Sequence, residues 1–309
     1  MNKQEAISIL KEHNQEHVIK RLEALEDDAA KKLISQVAMI DWKVVESIND
    51  KSDSSSEDKK IEPLEAVEIK DIKANKEKYT AKGVEAIKNG KVAAVLLAGG
   101  QGTRLGLDKP KGTLNVGVNK DLFLFGQLIR NLLDVVDMTG AYVPLYIMTS
   151  DKNNEDTVAF FEEHNYFGYD KDYVKFFIQS MVPSVDYNGK LYMESTDSLA
   201  MSPNGNGGWF LSLMAAGLDK DMEEKGVEYV NVFAVDNILQ RIADPAFIGA
   251  TMLAGAECGS KVVRKCEPEE KVGVMCRVNG HPSIIEYYEM SEELKKRRRR
   301  AYIWLWCYT

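Results

Sequence analysis

The chain has 309 residues, enough to bury the core of one large domain or of two smaller ones. Its hydrophobic content of 44% and charged content of 28% are typical of a soluble globular protein, and no run of about 18 apolar residues predicts a membrane span. The net charge of −8 argues against a general nucleic-acid-binding protein, and an acidic protein with an anionic substrate must gather its cations at one site.

The first residues and the cysteines indicate where the protein works. The N-terminus lacks the continuous apolar core of a signal peptide. The cysteines show no C-x-x-C spacing and so predict neither a zinc site nor a disulfide framework. We therefore predict a cytoplasmic protein, with no membrane or nucleic-acid partner and no evident obligate protein partner.

Residues 1–50 are predicted to form a helical N-terminal region. Apolar residues recur near helical spacing from Gln4 to Leu25, and a second helix is predicted from Ala29 to Met39. The Ser-, Asp- and Lys-rich sequence between Asn49 and Lys60 predicts a surface loop, which overlaps a predicted linker over residues 51–75. The helical region is either a separate appendage or part of one domain with the core.

A glycine-rich loop follows the first predicted strand. The apolar run from Val92 to Leu97 predicts a buried strand, and LAGGQGTRLG occupies Leu97 to Gly106. Four glycines in eight positions let the backbone turn sharply and lie close to a ligand. Exposed N–H groups in such a loop bind anions, and Arg104 and Lys111 add two cations. The motif therefore predicts binding of a nucleoside triphosphate.

The spacing of this loop excludes two better-known phosphate motifs. No G-x-x-x-x-G-K-[ST] string occurs, so the loop is not a P-loop. Gly100, Gly102 and Gly106 give G-x-G-x-x-x-G rather than the G-x-G-x-x-G of dinucleotide-binding proteins. The loop therefore favours a more highly charged ligand than a dinucleotide.

Strands and helices alternate from Lys91 onward, which predicts a parallel sheet with helices on both faces. The predicted strands are Val92–Ala98, Val143–Thr149, Tyr173–Gln179 and Glu228–Val235, and the predicted helices are Asp121–Asp137, Asn154–Asn165 and Gly208–Leu218. An added antiparallel portion is predicted from Val262–Cys266, Val272–Val278 and Ile284–Tyr288. The predicted fold class is thus α/β, a doubly wound and mainly parallel sheet with a helical N-terminal appendage.

Ligands of open parallel sheets bind beyond the carboxyl ends of the strands. The glycine loop follows the first strand, Gln179 ends the third, and Asp236 with Asn237 follows the fourth. We therefore expect these residues to converge at one edge of the sheet. A hard divalent ion prefers oxygen ligands, so we expect Mg²⁺ to bridge phosphate oxygens there, with Asp236 as its carboxylate ligand.

LAGGQGTRLG followed by PKG resembles the signature of the UDP-sugar pyrophosphorylases, in particular the UDP-N-acetylhexosamine (UDP-N-acetylglucosamine) pyrophosphorylase branch. Further motifs match in family order: FIQSMVPSVD (Phe177–Asp186), SPNGNGGWF (Ser202–Phe210), FAVDNIL (Phe233–Leu239), KVGVMCRVNG (Lys271–Gly280) and IIEYYEMS (Ile284–Ser291). The resemblance runs from Lys91 to Ser291. It implies a Rossmann-like nucleotide-diphospho-sugar transferase fold, with the catalytic domain over residues 76–290.

The resemblance implies a uridylyltransferase that forms UDP-N-acetylglucosamine and pyrophosphate from UTP and N-acetylglucosamine 1-phosphate. The phosphates would be held by loop N–H groups and two cations, those of Gly100, Gln101, Gly102, Thr103, Arg104 and Lys111. The residues that match uridine-contacting positions are Leu97, Ala98, Gly99, Gly100, Gln179 and Gly205. Asn206 matches a position near the sugar, and Gly273 and Glu286 match positions around the N-acetyl sugar, where Glu286 would accept hydrogen bonds from sugar hydroxyls.

The resemblance stops after Ser291. Residues 292–300 form a charged run, and residues 301–309 (AYIWLWCYT) show neither strand nor helix periodicity. This tail, residues 291–309, is interpreted either as a basic membrane anchor or, preferably, as the product of a reading-frame shift, since one nucleotide earlier these codons can read ELIYGFGVI. A frame shift would remove the rest of the family's fold, including part of the sugar site.

Two other functions stay open. UTP–glucose-1-phosphate uridylyltransferase activity is the alternative within the same reaction class, because one residue in a sugar pocket can change the preference. A truncated, non-catalytic nucleotide-sugar binder is the alternative from a different class. Pyrophosphate release with different sugar phosphates distinguishes the three.

Overall fold

The structure is a computed structural model that describes residues 1–47, 60–64, 66–102, 106–267, 270–291 and 302–303. Its helices are α1 (Lys3–Glu12), α2 (Glu16–Ala24), α3 (Asp27–Ala38), α4 (Trp42–Ser47), α5 (Ile69–Ala74), α6 (Lys76–Lys88), α7 (Leu124–Thr139), α8 (Asn154–Glu163), α9 (Trp209–Ala215), α10 (Leu218–Glu224) and α11 (Pro245–Leu253). Its strands are β1 (Ile61–Pro63), β2 (Val92–Leu97), β3 (Leu145–Thr149), β4 (Val174–Ile178), β5 (Met181–Pro183), β6 (Met201–Pro203), β7 (Tyr229–Ala234), β8 (Val263–Arg264), β9 (Val274–Val278), β10 (His281–Ile285) and β11 (Tyr302–Ile303).

The chain divides into two compact units. The first unit joins Met1–Glu57 to Ser180–Gly208, and the second joins Asp58–Gln179 to Trp209–Thr309. In the part of the chain that the structure describes, no helix combines the length and apolar character needed to cross a bilayer.

The first unit is built from helices α1 to α4 and the paired strands β5 and β6. The helices bury one apolar face each, because their apolar residues recur at helical spacing. The buried core residues are Ala6, Leu10, Val18, Leu22, Ala30, Leu33, Val37, Ile40, Val45, Leu191 and Leu199. The Gln15 side chain, 2% exposed, ties the helices to the rest of the unit, since its Nε2 donates to the carbonyls of His13 and Gly189, both at 2.9 Å.

The helical spacing from Gln4 to Leu25 belongs to two helices rather than one. The chain ends α1 at Glu12 and begins α2 at Glu16, and between them Asn14 has a φ of 58°. Asn tolerates this left-handed conformation better than most residues, which lets the chain reverse there. Residues 11–17 (KEHNQEH) contain no apolar residue, so the apolar pattern is interrupted where the chain reverses.

The second unit contains a four-stranded parallel sheet in the order β4-β3-β2-β7. Side chains alternate between the two faces of each strand, so Ala94 and Leu96 face one core while Val95 and Leu97 face the other. Helices α6, α7, α8 and α11 cover the first face, and α9 and α10 cover the second. The predicted doubly wound α/β fold is therefore confirmed.

An antiparallel sheet is centred on β9. Strand β10 pairs along one side of β9, while β1 and β11 pair end to end along the other, with Ile61 opposite Val278 and Tyr302 opposite Met275. The predicted strand Ile284–Tyr288 lies earlier, at His281–Ile285. The shift arises because Asn279 and Gly280, both with positive φ, make a tight turn directly after β9.

Three other predictions differ from the structure. The helix predicted over Gly208–Leu218 ends at Ala215, because Gly217 has a φ of 71°, and α10 follows. The predicted linker contains β1 and α5, while residues 48–59 lie outside the described residues. The tail, predicted to have no regular structure, contributes β11. The predicted domain boundaries stay a prediction.

Candidate functional site

The carboxyl ends of the four parallel strands are in register. The Ala98 N–H donates to the Met148 carbonyl at 2.8 Å, the Val235 N–H to the Leu97 carbonyl at 3.2 Å, and the Gln179 N–H to the Thr149 carbonyl at 2.9 Å. The glycine loop after β2, Gln179 after β4 and Asp236 after β7 therefore lie at the same edge of the sheet, as the sequence predicts.

The glycine loop folds back on itself as a narrow ribbon. The Gly102 N–H donates to the Lys109 carbonyl at 3.0 Å, and the Lys111 N–H donates to the Gly100 carbonyl at 3.3 Å. A Cβ on Gly102 would lie 2.6 Å from the Leu107 Cβ, so glycine is required where the two arms meet. Leu97 ends β2, and Gln101 lies opposite Pro110 in the ribbon. Two predicted phosphate ligands, Thr103 and Arg104, lie outside the described residues.

Gln179 packs its amide directly over Gly99. The side chain is 6% exposed, and a Cβ on Gly99 would lie 2.5 Å from its Nε2. A carboxamide offers both donors and an acceptor, the combination that the edge of a nucleobase requires. Two residues that the sequence separates by eighty positions thus meet at the start of the glycine loop.

Lys111 and Asp236 form an ion pair beside the loop. Their Nζ and Oδ1 atoms are 2.5 Å apart, and their side chains are 29% and 59% exposed. Lys111 begins a 3₁₀ turn, Lys111–Thr113, and a Cβ on Gly112 would lie 2.2 Å from the Phe125 ring. Because that glycine lets the turn rest on α7, the backbone of Lys111 is held rigidly while its charged end stays accessible.

Asp236 is suited to hold a magnesium ion only together with substrate. Among the described residues, no group of three or more His, Cys, Asp or Glu side chains could enclose a metal. Mg²⁺ is commonly bound by one or two carboxylates, with phosphate oxygens and water supplying the remaining ligands. A single accessible carboxylate at the strand edge fits that mode, provided that the Lys111 ammonium leaves it.

Gly273 and Glu286 are brought together by the β9–β10 hairpin. Gly273 is buried, and a Cβ there would lie 3.1 Å from the Ile284 Cγ2 and 3.2 Å from the Glu286 Oε1. The Glu286 N–H donates to the Glu289 carboxylate at 2.9 Å, which fixes the backbone beside it. The missing side chain at Gly273 therefore leaves room for the Glu286 carboxylate.

The NGNGG segment belongs to the first unit. Gly205 has a φ of 74°, and Asn206 begins a 3₁₀ turn, Asn206–Gly208. The Gly208 N–H closes this turn on the Gly205 carbonyl at 3.3 Å. Small residues and a left-handed glycine produce the tight turn that the sequence predicts there.

Asn153 contacts the glycine loop, although none of the sequence motifs includes it. Asn153 follows β3, is fully buried, and donates its Nδ2 to the carbonyls of Ala98 at 3.0 Å and Gly100 at 3.3 Å. The sequence does contain a signal for this residue. An Asn lies between the end of a predicted buried strand and a predicted helix, at the edge of the sheet where ligands are expected. That signal is common in α/β proteins, so alone it could not single out this residue.

Comparison with known proteins is consistent with this geometry. The family model described as UTP–glucose-1-phosphate uridylyltransferase matches residues 42–303. The match begins before Lys91 and extends past Ser291, so the resemblance covers more of the chain than the sequence motifs indicate, and its predicted end at Ser291 is wrong.

Two curated relatives and one solved structure are similar over most of the chain. The mouse (Mus musculus) UDP-N-acetylhexosamine pyrophosphorylase-like protein 1 is 45% identical over 70% of this chain and 44% of its own length. The Saccharomyces cerevisiae UDP-N-acetylglucosamine pyrophosphorylase is 41% identical over 78% of this chain and 52% of its own length. The Trypanosoma brucei uridine diphosphate N-acetylglucosamine pyrophosphorylase, solved with an inhibitor, is 30% identical with a TM-score of 0.79, covering 98% of this chain and 65% of that one. The chain thus spans about half the length of these curated relatives.

Proposed function

Since the chain belongs to the UTP–glucose-1-phosphate uridylyltransferase family, we propose that it transfers a uridylyl group from UTP to N-acetylglucosamine 1-phosphate and releases pyrophosphate. The resemblance to UDP-sugar pyrophosphorylases that the ordered motifs indicate is confirmed by this membership and by the relatives. The choice of N-acetylglucosamine is supported by the names of the yeast and trypanosome proteins.

The uracil end of UTP would lie where Gln179 covers Gly99. A carboxamide there can donate to one carbonyl of uracil and accept from its ring N–H, and the loop backbone can complete the pairing. Because Gly99 has no side chain, the Gln179 amide can lie directly against the backbone of the loop, next to the proposed position of the base. This placement explains why the two residues need to meet.

The phosphates would lie against the loop and Lys111. Both substrates are anionic, so repulsion between them and poor alignment dominate the barrier, and catalysis consists mainly of charge neutralisation and positioning. Lys111, which pairs with Asp236 in this structure, would turn to the phosphates that leave as pyrophosphate. The attacking sugar phosphate is already ionised, so no general base is needed.

Asp236 would then hold the magnesium ion. When bound, Mg²⁺ would supply positive charge that neutralises the phosphates. The role of this chain is to present one accessible carboxylate at the strand edge and to hold Lys111 next to it. This ion pair beside the glycine loop is the observation that supports the proposal most. It places the Lys111 ammonium where the phosphates would bind, and the Asp236 carboxylate where the magnesium ion would bind.

The sugar would be recognised partly by Glu286. Its carboxylate can accept hydrogen bonds from sugar hydroxyls. Because Gly273 has no side chain, the Glu286 carboxylate can occupy the space beside it. For Gly205 and Asn206, contacts with the uridine and the sugar stay predictions from the sequence. A cytoplasmic location stays a prediction from the cysteine usage.

The reaction is tested by measuring pyrophosphate release from UTP and Mg²⁺ with a panel of sugar 1-phosphates. We expect turnover with N-acetylglucosamine 1-phosphate above that with glucose 1-phosphate. Turnover with glucose 1-phosphate alone would favour the second candidate, which the description of the matching family model supports. If the chain binds UTP but turns over no sugar 1-phosphate, the proposed enzymatic activity is contradicted, and nucleotide binding is the function that remains.

A further inference from the structure

Asn153 stands at an unusual junction of the second unit. It is the residue before α8, where Asn side chains commonly accept a hydrogen bond from the first turn of their own helix. Here the side chain makes no such bond. Its Oδ1 instead accepts the Ser150 N–H at 2.8 Å, and both remaining donors point to the glycine loop. A good helix cap is thus given up for contacts with another segment.

Those contacts fix the direction of two peptide groups. In a trans peptide the C=O and the next N–H point in opposite directions. Holding the carbonyls of Ala98 and Gly100 toward Asn153 therefore turns the N–H groups of Gly99 and Gln101 away from it. Within the described residues, no acceptor pairs with either N–H, so both are available to a ligand.

The loop needs such a restraint because glycine explores more backbone conformations than any other residue. Gly100 is exposed, and a Cβ there would contact nothing, so no packing determines its orientation. Its carbonyl is held only by the Asn153 amide and the Lys111 N–H among the described residues. The amide is fully buried, where water competes little with these hydrogen bonds.

We propose that Asn153 is a positioning residue for the nucleotide: by holding two carbonyls of the glycine loop, it orients the N–H groups of Gly99 and Gln101 toward the bound UTP. This inference rests on the proposed function. It assigns to Asn153 a role in nucleotide affinity that is separable from its contribution to folding.

The separation can be tested with two variants and a matched control. Asn153→Ala removes all three hydrogen bonds, and Asn153→Ser keeps a residue that caps helices well but is too short to reach both carbonyls. The control is Gln15→Ala, because the Gln15 side chain is also buried and also makes three hydrogen bonds to the backbone. Its Nε2 donates to two carbonyls, and its Oε1 accepts from the Leu191 N–H. Gln15 belongs to the first unit.

The dissociation constant for UTP with Mg²⁺ is measured by titration calorimetry on the full chain, and the melting temperature is recorded for each variant. We expect both Asn153 variants to bind UTP about tenfold more weakly or worse, as misplaced contact groups do. Gln15→Ala should melt earlier than the unmodified chain yet bind UTP equally well. Because serine can cap α8, which the Asn153 side chain does not do, Asn153→Ser should stay folded even if Asn153→Ala does not.

Each outcome decides between the possibilities. A folded Asn153→Ser variant that binds UTP as tightly as the unmodified chain would overturn the inference. A loss of affinity in Gln15→Ala matching that of the Asn153 variants would also overturn it, since general destabilisation would then explain the effect. If the unmodified chain gives no binding heat with UTP, the proposed function itself fails, and that result is visible without any variant.

Discussion

The charge of Lys111 is already engaged in this structure, and its partner is the carboxylate proposed to hold magnesium. An exposed or partly exposed ion pair contributes little to stability, so the pair is not needed for folding. Both side chains can therefore exchange their partners when a polyanion and a divalent ion bind. The first prediction follows from this exchange.

Replacing Lys111 by alanine should lower the turnover of the proposed reaction by about a hundredfold or more, because a cation that neutralises the leaving phosphates is lost. The measurement is steady-state pyrophosphate release. The matched control is Lys109→Ala, which removes an exposed lysine from the same ribbon. Equal losses in both variants, or normal turnover in Lys111→Ala, would mean that the phosphates lie elsewhere.

A second prediction concerns the space beside Glu286. Gly273→Ala adds a methyl group within 3.2 Å of the Glu286 carboxylate, so that side chain or Ile284 must shift. We expect the KM for the sugar 1-phosphate to rise about tenfold, with the UTP dissociation constant unchanged. Unchanged kinetics for the sugar would remove Glu286 from the proposed site, whereas a change in UTP affinity alone would assign the hairpin to the nucleotide.

At the scale of elements, one partly buried carboxylate joins three of them in the second unit. Asp221 on α10 is 14% exposed, accepts from the Tyr146 hydroxyl on β3 at 2.6 Å, and pairs with Lys175 on β4 at 2.6 Å and with Lys225 at 2.5 Å. Burial acts to raise the pKa of the Asp221 carboxyl, but the hydrogen bonds from Lys175, Lys225 and Tyr146 outweigh it and hold the pKa well below its usual range. The network fastens α10 to the sheet.

Asp221→Asn should therefore lower the free energy of unfolding by about 2 kcal/mol at neutral pH. Because the folded-state pKa is depressed, the stabilisation is complete above the unfolded pKa of about 3.9 and is lost as the pH falls below it. The difference between the variant and the unmodified chain should thus shrink toward low pH. Urea unfolding at several pH values measures it.

The control for this prediction is Glu223→Gln, which removes an exposed carboxylate from the same helix. It should change the unfolding free energy little at any pH. A difference between Asp221→Asn and the unmodified chain that stays constant down to low pH would show that the charge of Asp221 is not what stabilises the network.

The parallel strands could be predicted from the sequence, while several connections between elements could not. Runs such as Val92–Leu97 are apolar on both faces because helices cover both sides, and that pattern is local. The packing of α6 against α11 depends on Gly83, where a Cβ would lie 1.9 Å from the Pro245 carbonyl oxygen, and on its counterpart Gly249. No local pattern pairs two glycines that lie far apart in the chain.

The same division holds for the candidate site. The glycine loop, Gln179 and Asp236 could be predicted to converge because parallel strands place their ends at one edge. Asn153 could not be assigned, because its role depends on hydrogen bonds to carbonyls more than fifty residues away. The Lys111–Asp236 contact likewise links two loops, and sequence spacing does not predict which partner an exposed lysine selects.

For the molecule as a whole, the proposed nucleotide contacts on the described strand edge belong to the second unit. A ligand that binds only the folded state raises its stability with ligand concentration. UTP with Mg²⁺ should therefore raise the melting temperature of the chain, and Lys111→Ala should reduce that shift. An equal shift with any triphosphate, ATP included, would contradict recognition of uracil by Gln179.

We propose that a nucleoside triphosphate lies against the glycine loop at the carboxyl edge of the parallel sheet. Amide hydrogen exchange of the full chain, measured with and without UTP and Mg²⁺, tests it most directly. We predict slower exchange in peptides that cover residues 98–102 and 110–113, with little change in the β9–β10 hairpin. Unchanged exchange in the glycine loop at saturating UTP, or protection confined to other segments, would contradict the account.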